Sequence, residues 1–303
     1  MGDTARPRAR LARPAAVVLT AVVFVPLLLA FLLTHRCKLR DGQDPRSAAG
    51  IAFERFRTTA EDGVALDGWF VPQFGATRCI LICHGAGANK GNFVWFLPPL
   101  MYHGYNVVFF DFRAHGASDG RTCTFGLIEQ HDVRAVVDWL KRMRPAQAEK
   151  IVGLGSSQGA MALALAAASE PRIDALILDS PYVSPRELAH HHLGRIPLLG
   201  PAYATLVLTH MSWMSGADFL DRSAETAIAS LGERPVLVIH GADDVLMPAA
   251  HAQRLFDAAR GPKSIWFGPG PHSNIVTTDS NGYAQRVFAF LDEHLGKATN
   301  RGR

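Results

Sequence analysis

The chain is short of charge, and short above all of an excess of one sign where a folded body would need it. Only 19% of its 303 residues are charged, and the net balance is +4. Residues 1–46 hold eight basic groups against three acidic ones, whereas the remaining residues hold 23 against 24. A nearly neutral body lacks the basic surface that grips phosphates, which excludes nucleic acid as a partner. With 48% apolar residues beside so little charge, the composition of a disordered chain is missing as well. Internal repeats and low-complexity tracts are absent, and a body of this size can bury a full core as one α/β domain. Cysteine is sparse, four in all, and two of them, Cys79 and Cys83, fall on one predicted strand. Strand rise separates that pair by about 13 Å, too far for a bond. Both read as small buried hydrophobes, which suits a reducing compartment.

What the front of the chain has is one long uncharged run. Residues 15–34 carry no charged side chain, and only Thr20, Pro26 and Thr34 interrupt the apolar sequence. A helix over these residues reaches about 30 Å, the hydrocarbon thickness of a bilayer. Pro26 would break a soluble helix but is tolerated in a membrane one. The run is too long for the apolar part of a secretory signal, and residues 31–36 offer no small-residue cleavage site. Arg6 stands where N-myristoylation wants Ser or Thr. The expectation is a basic tail over 1–14, a single-pass membrane anchor over 15–34, a linker over 35–50 and a folded domain over 51–297. Arg6, Arg8, Arg10 and Arg13 precede the span while Arg36, Lys38, Arg40 and Arg46 follow it, so the positive-inside count is nearly balanced. The free amino terminus tips it toward a body outside the cytoplasm.

The body alternates short apolar runs with helical stripes. Residues 53–58 and 64–71 predict an antiparallel pair turning at Glu61-Asp62-Gly63. Strands follow at 79–83, 106–110, 150–154, 173–178, 235–239 and 263–267, with helices at 126–143, 157–168, 249–259 and 280–295. Short strands that are apolar throughout imply a mostly parallel central sheet covered by helices on both faces. In such sheets a ligand site lies at the carboxyl ends of the strands.

Chemistry concentrates at three of those ends. Gly155-Ser156-Ser157-Gln158-Gly159 is a G-x-S-x-G window between a strand and a helix. A sharp turn there needs tiny residues two before and two after the serine. Ser157 has Gly155 and Gly159 at those places, whereas Ser156 would have Leu154 and Gln158. A serine hydroxyl is a poor nucleophile until a base takes its proton, and the base needs a carboxylate to orient it. The strand at 235–239 runs into His240-Gly241-Ala242-Asp243-Asp244, and the next strand into Gly268-Pro269-Gly270-Pro271-His272. Serine, carboxylate and histidine in that chain order match the nucleophile–acid–base order of an α/β-hydrolase. Asp243 and Asp244 share one turn, and both remain open as the acid on physical grounds.

These residues carry a resemblance. From Arg55 to about Leu295 the chain resembles the α/β-hydrolase superfamily, and within it membrane-tethered bacterial serine hydrolases related to serine aminopeptidase-like and monoacylglycerol-lipase-like members. The shared pieces are His84-Gly85-Ala86-Gly87, Gly104-Tyr105-Asn106-Val107, the stretch 111–118, Gly155 to Gly159, and His240 to Asp244 with Pro248. The resemblance implies a catalytic triad of Ser157, His272 and Asp244, the carboxylate four residues before the proline. It also implies an oxyanion hole from the backbone N–H groups of Gln158 and Ala86, with Gly87 as the alternative to Ala86. Ala114 departs from the pattern, since relatives carry Gly before the His-Gly pair. His84 and His240 read as loop-holding groups, and Asp179, ending its strand, as an alternative acid.

Between Pro181 and Arg234 lies an insertion too long for a loop, expected to form a helical cap rich in apolar residues. His190-His191-His192 with Glu187 has metal-ligand chemistry, but adjacent histidines on a helix point apart, so a polar surface stretch is expected and no metal. No cofactor is implied. The expected activity is hydrolysis of a carboxylic ester or thioester, small or lipid-like, through an acyl-serine. An aminopeptidase-like amide hydrolase and a non-catalytic binding protein on the same fold are the alternatives. An amine-recognising carboxylate would have to come from Glu187, Asp218, Asp221 or Glu225 in the cap.

Overall fold

The computed structural model describes residue 17 and residues 20–35, 38–39, 42–196 and 199–297. The basic tail expected over 1–14 lies outside the described residues. Branched and aromatic runs form the strands β1 (Glu54–Thr59), β2 (Ala65–Val71), β3 (Arg78–Cys83), β4 (Tyr105–Phe110), β5 (Lys150–Ser156), β6 (Ile173–Asp179), β7 (Val236–Gly241) and β8 (Lys263–Gly268). They make one sheet in the order β1-β2-β4-β3-β5-β6-β7-β8. Only β2 runs antiparallel to its neighbours, β1 and β4; the other strands pair in parallel.

The helices are α1 (Val25–Thr34), α2 (Pro45–Ala49), α3 (Leu97–Tyr102), α4 (Glu129–Met143), α5 (Gln158–Ser169), α6 (Pro185–Leu193), α7 (Gly200–Ser215), α8 (Ala224–Ala229), α9 (Ala249–Ala258), α10 (Ile275–Thr278) and α11 (Ser280–Leu295), with a 3₁₀ segment at Lys90–Phe96. Alternation along β3 shows why both sheet faces need cover. Cys79, Leu81 and Cys83 enter one core with residues of α4 and α5, while Ile80 and Ile82 enter the other with residues of α11. Burial pushes the Cys79 and Cys83 thiols well above their ordinary pKa, so they stay protonated and serve as packing.

From β3 the chain passes to β4 on one side and then to β5 on the other, so the crossovers diverge and open a crevice at the carboxyl ends of β3 and β5. The insertion between β6 and β7 forms α6, α7 and α8. The helix expected from residue 126 starts at Glu129, because its carboxylate turns back to accept from Thr124 N at 2.7 Å, Thr124 Oγ1 at 2.6 Å and Gly126 N at 2.8 Å.

The single-pass span expected over 15–34 is not a feature of the described structure. Residues 15, 16, 18 and 19 lie outside the described residues. Thr20–Phe24 winds as a π turn immediately before α1, whose second residue is Pro26. Proline offers no N–H and its ring crowds the preceding turn, which accounts for the widened winding. Pro26, Ala30 and Thr34 of α1 are buried, and α1 packs on the cap helix α7. Phe24, Leu28, Phe31 and Leu32 face outward. Among the described residues no helix is long and apolar enough to cross a membrane. Two bonds tie this part of the chain to the domain: Thr34 O accepts from Cys123 N at 2.8 Å, and Lys38 Nζ donates to Ser118 O at 2.5 Å.

Candidate active site

Ser157 stands between β5 and α5 with φ +52° and ψ −113°, a backbone that L residues avoid. A Cβ on Gly155 would run into the Gly159 carbonyl, and one on Gly159 would fall on the Cys83 and His84 carbonyls. The two glycines therefore permit the turn, and the Ser157 N–H, donating to Asp179 O at 2.8 Å, ties it to β6. The turn lifts the hydroxyl clear of the strand toward the β8 loop.

There it meets His272. Ser157 Oγ lies 2.9 Å from His272 Nε2, and His272 Nδ1 lies 2.7 Å from Asp244 Oδ2. Asp244 is aimed by its own turn, since its Oδ1 accepts from Leu246 N and Met247 N, each at 2.9 Å. Burial pushes the Asp244 carboxyl up, but its hydrogen bonds to His272 and Met247 N–H and the neighbouring imidazoles outweigh this, leaving it below its ordinary value. An ionised Asp244 fixes the His272 proton on Nδ1 and leaves Nε2 to accept from the hydroxyl. Asp243 turns away, its Oδ2 accepting from Gly270 N at 3.3 Å. His240 Nε2 donates to Met247 O at 2.9 Å and braces the same turn.

The loop after β3 is held by two histidines. His84 Nε2 accepts from Phe112 N at 3.1 Å, so Nδ1 carries the proton and donates to Gly85 O at 2.8 Å. Burial, with the His115 ring beside it, pushes the His84 pKa down to about 3, so it is a neutral strut. His115 Nε2 accepts from Gly87 N at 3.3 Å, and its Nδ1 donates to Arg113 O at 2.8 Å. Gly87's N–H is thus engaged, whereas Ala86 lines the cavity beside Ser157. Gln158 opens α5, where the first N–H groups have no intrahelical acceptor.

A family model described as alpha/beta hydrolase fold matches residues 78–195. The chain is 30% identical over 256 residues to the uncharacterized protein YqkD of Bacillus subtilis, covering 80% of this chain and 81% of that one. It belongs to the α/β-hydrolase family. A second relative, the uncharacterized membrane protein YNL320W of Saccharomyces cerevisiae, is 27% identical over 261 residues, 84% of each chain. Among solved structures, the Pyrococcus furiosus esterase Pf2001 superposes with a TM-score of 0.72 at 23% identity, over 87% of this chain and 99% of that one. The esterase of Exiguobacterium antarcticum does so with a TM-score of 0.60 at 16% identity, over 79% and 100%.

In this hydrolase-fold chain the cavity at Ser157 holds about 280 Å³ and is walled by Gly85, Ala86, Asn92, Trp95, His272 and Thr277 among others. Asp179, the alternative acid, is fully buried, and its carboxylate oxygens are bonded to groups other than His272. Its Oδ1 accepts from Ser180 Oγ at 3.0 Å and its Oδ2 from Tyr283 O–H at 3.3 Å. Burial holds the Asp179 carboxyl at about 6 despite both bonds. Ser180 Oγ in turn accepts from Ser273 N at 2.9 Å, next to His272, so the end of β6 braces both the Ser157 turn and the His272 loop. His190, His191 and His192 point apart, toward Thr205, Arg195 and Leu246 O, and among the described residues no group of His, Cys, Asp and Glu is arranged to hold a metal. Sequence reasoning misses the part His115 plays in holding the β3 loop, and the Asp179–Ser180 brace, which carries no signature of its role. For His115 the Asp-x-Arg-x-His stretch at 111–115 is the one local sign.

Proposed function

We propose that this protein is a serine hydrolase that cleaves a carboxylic ester or thioester through an acyl-Ser157 intermediate. The observation that carries this reading is the relay of 2.7 and 2.9 Å from Asp244 through His272 to a serine on a strained turn. Ser157 Oγ attacks the carbonyl carbon as its proton passes to His272 Nε2. The carbonyl oxygen, now negative, takes the N–H groups of Gln158 and Ala86. Collapse breaks the bond to the leaving alcohol or thiol, which departs with the proton from His272. Water then repeats the sequence on the acyl-serine, and the acid product leaves.

Ester chemistry is favoured over aminopeptidase chemistry because the cap carboxylates are otherwise engaged. Glu187 and Glu225 pair with Arg254, Asp221 faces Arg186, and Asp218 accepts from the N–H groups of Leu220 and Asp221. Among the described residues no Asp or Glu lines the cavity at Ser157. Labelling with a fluorophosphonate tests the reading: native protein and Ser156→Ala label and Ser157→Ala does not. Label retained in Ser157→Ala, or absent from the native protein, sinks it.

The same proposal puts the enzyme at a membrane through its head segment. The outward side chains of α1 and the arginines ahead of it suit an acyl-chain and anionic headgroup boundary. The full chain is expected to sediment with membranes and to be released by detergent. Recovery in the soluble fraction without detergent counts against this part.

A further inference from the structure

A second cavity, also of about 280 Å³, lies between α1 and the cap and shares no lining residue with the one at Ser157. Its walls come from three helices, with Leu29 and Leu33 on α1, Leu188 on α6 and Met211 on α7, and from the loop residues Phe125, Tyr182 and Phe219. Its surface is apolar throughout, and the two lining side chains with polar atoms spend them elsewhere. The Tyr182 hydroxyl donates to Phe125 O, and His192 Nε2 donates to Leu246 O at 2.9 Å. A chamber without a single polar group to offer selects a ligand that has none, which is an alkyl chain.

Short links join the chamber to the reacting serine. Tyr182 stands three residues beyond Asp179, whose carbonyl accepts the Ser157 N–H. Phe125 stands two residues beyond Cys123, whose thiol donates to Gln158 Oε1 at 3.0 Å and whose N–H donates to Thr34 O at the end of α1. The chamber is thus tied through Tyr182 and Phe125 to the Ser157–Gln158 turn, whereas His272, Ser273, Asn274 and Thr277 line the cavity at Ser157 and have no part in the chamber. His272 Nε2 must protonate the leaving group, so the alcohol departs on the His272 side. The acyl chain points the opposite way.

We infer that the chamber between α1 and the cap is the acyl-chain site, and that α1, which precedes the hydrolase domain in sequence, is the wall that sets the chain length. This rests on Ser157 being the nucleophile. A water molecule occupies about 30 Å³ of the liquid, and a methylene has similar bulk, so the chamber takes a chain on the order of eight to ten carbons.

The test uses the full-length protein and nitrophenyl esters from acetate to palmitate. Native kcat/KM is expected to rise with acyl length to about octanoate or decanoate and to fall for palmitate. The readout is the decanoate-to-acetate ratio of kcat/KM within each variant, which a general loss of folded enzyme does not move. Leu33→Trp fills the chamber and lowers that ratio roughly tenfold to a hundredfold. Leu33→Ala opens it and shifts the optimum to longer chains. Alkyl acetates, whose chain sits on the alcohol, show no such response to either change. A ratio unmoved by both variants, a native profile that falls steadily from acetate, or a length preference confined to alkyl acetates overturns the inference while fluorophosphonate labelling of Ser157 leaves the hydrolase reading intact. Loss of labelling removes that reading, and the acyl site with it.

Discussion

Ala114, Phe125, Ser157, Ser180 and Ser273 are the non-glycine residues with φ between 50° and 60° among those described, and their places explain the strain. Ser157 is the buried turn at the end of the relay, Ser180 and Ser273 are bonded to each other next to His272, and the Phe125 carbonyl accepts from the Tyr182 hydroxyl. Left-handed backbone costs an L residue about 1–2 kcal/mol, and here the surrounding contacts hold it. Ala114 is different, because its N–H donates to Asp119 O at 2.8 Å, a bond that glycine would make equally well. Ala114→Gly should relieve the strain and lose part of the gain to the freer unfolded chain, a net stabilisation of about 0.5 kcal/mol. That corresponds to a Tm rise of roughly 1–2 °C by calorimetry, and a fall in Tm would show that the methyl packs usefully. Ser157 is legible in the sequence because the glycine requirement is local. The choice between Asp243 and Asp244 is not, since it depends on which carboxylate the Leu246 and Met247 N–H groups capture. The parts of His84 and His115 depend on partners 28 residues away.

At the scale of elements, the strands and long helices of the body are legible because each buries a whole face, and the periodicity of burial is written in the residues. β4 (Tyr105–Phe110) is buried at every position, and an apolar run bounded by a glycine and an aspartate could be little else. Short pieces are not legible. Lys90–Phe96 and α3 carry Gly91, Pro98 and Pro99, residues that normally interrupt helices, and form because Asn89 caps the first and the prolines occupy the opening turn of the second. α1 is legible as a helix but not in its setting. A run that is apolar on every side fits a bilayer and a cap surface equally well, and nothing local says that Leu29 and Leu33 will face α7.

Across the whole molecule, buried imidazoles set how stability responds to acid. His84, His240 and His251 all have pKa values lowered by burial, His84 to about 3, each amid charged or titratable neighbours. Those neighbours are His115, Asp111 and Lys90 for the first, Asp244 and His272 for the second, and Glu187, Arg254, His191 and His240 for the third. In the unfolded chain all three take up a proton near pH 6.5, the ordinary value for histidine, which these folded-state groups decline. Below that pH the unfolded state binds more protons, so stability falls as the pH falls. Asp179 works in the opposite sense. Held at about 6, it keeps a proton in the fold that the unfolded chain releases down to about pH 4, and it offsets one of the three. Asp132, which burial raises to about 7, holds a proton in the same way, so the slope is what remains when these two carboxyls oppose the three histidines, each proton being about 1.4 kcal/mol per pH unit. Denaturant unfolding at a series of pH values measures that slope. Asp179→Asn removes one of the opposing groups and should steepen the fall in stability toward acid by about one proton, whereas an unchanged slope would mean that Asp179 is already ionised in the fold.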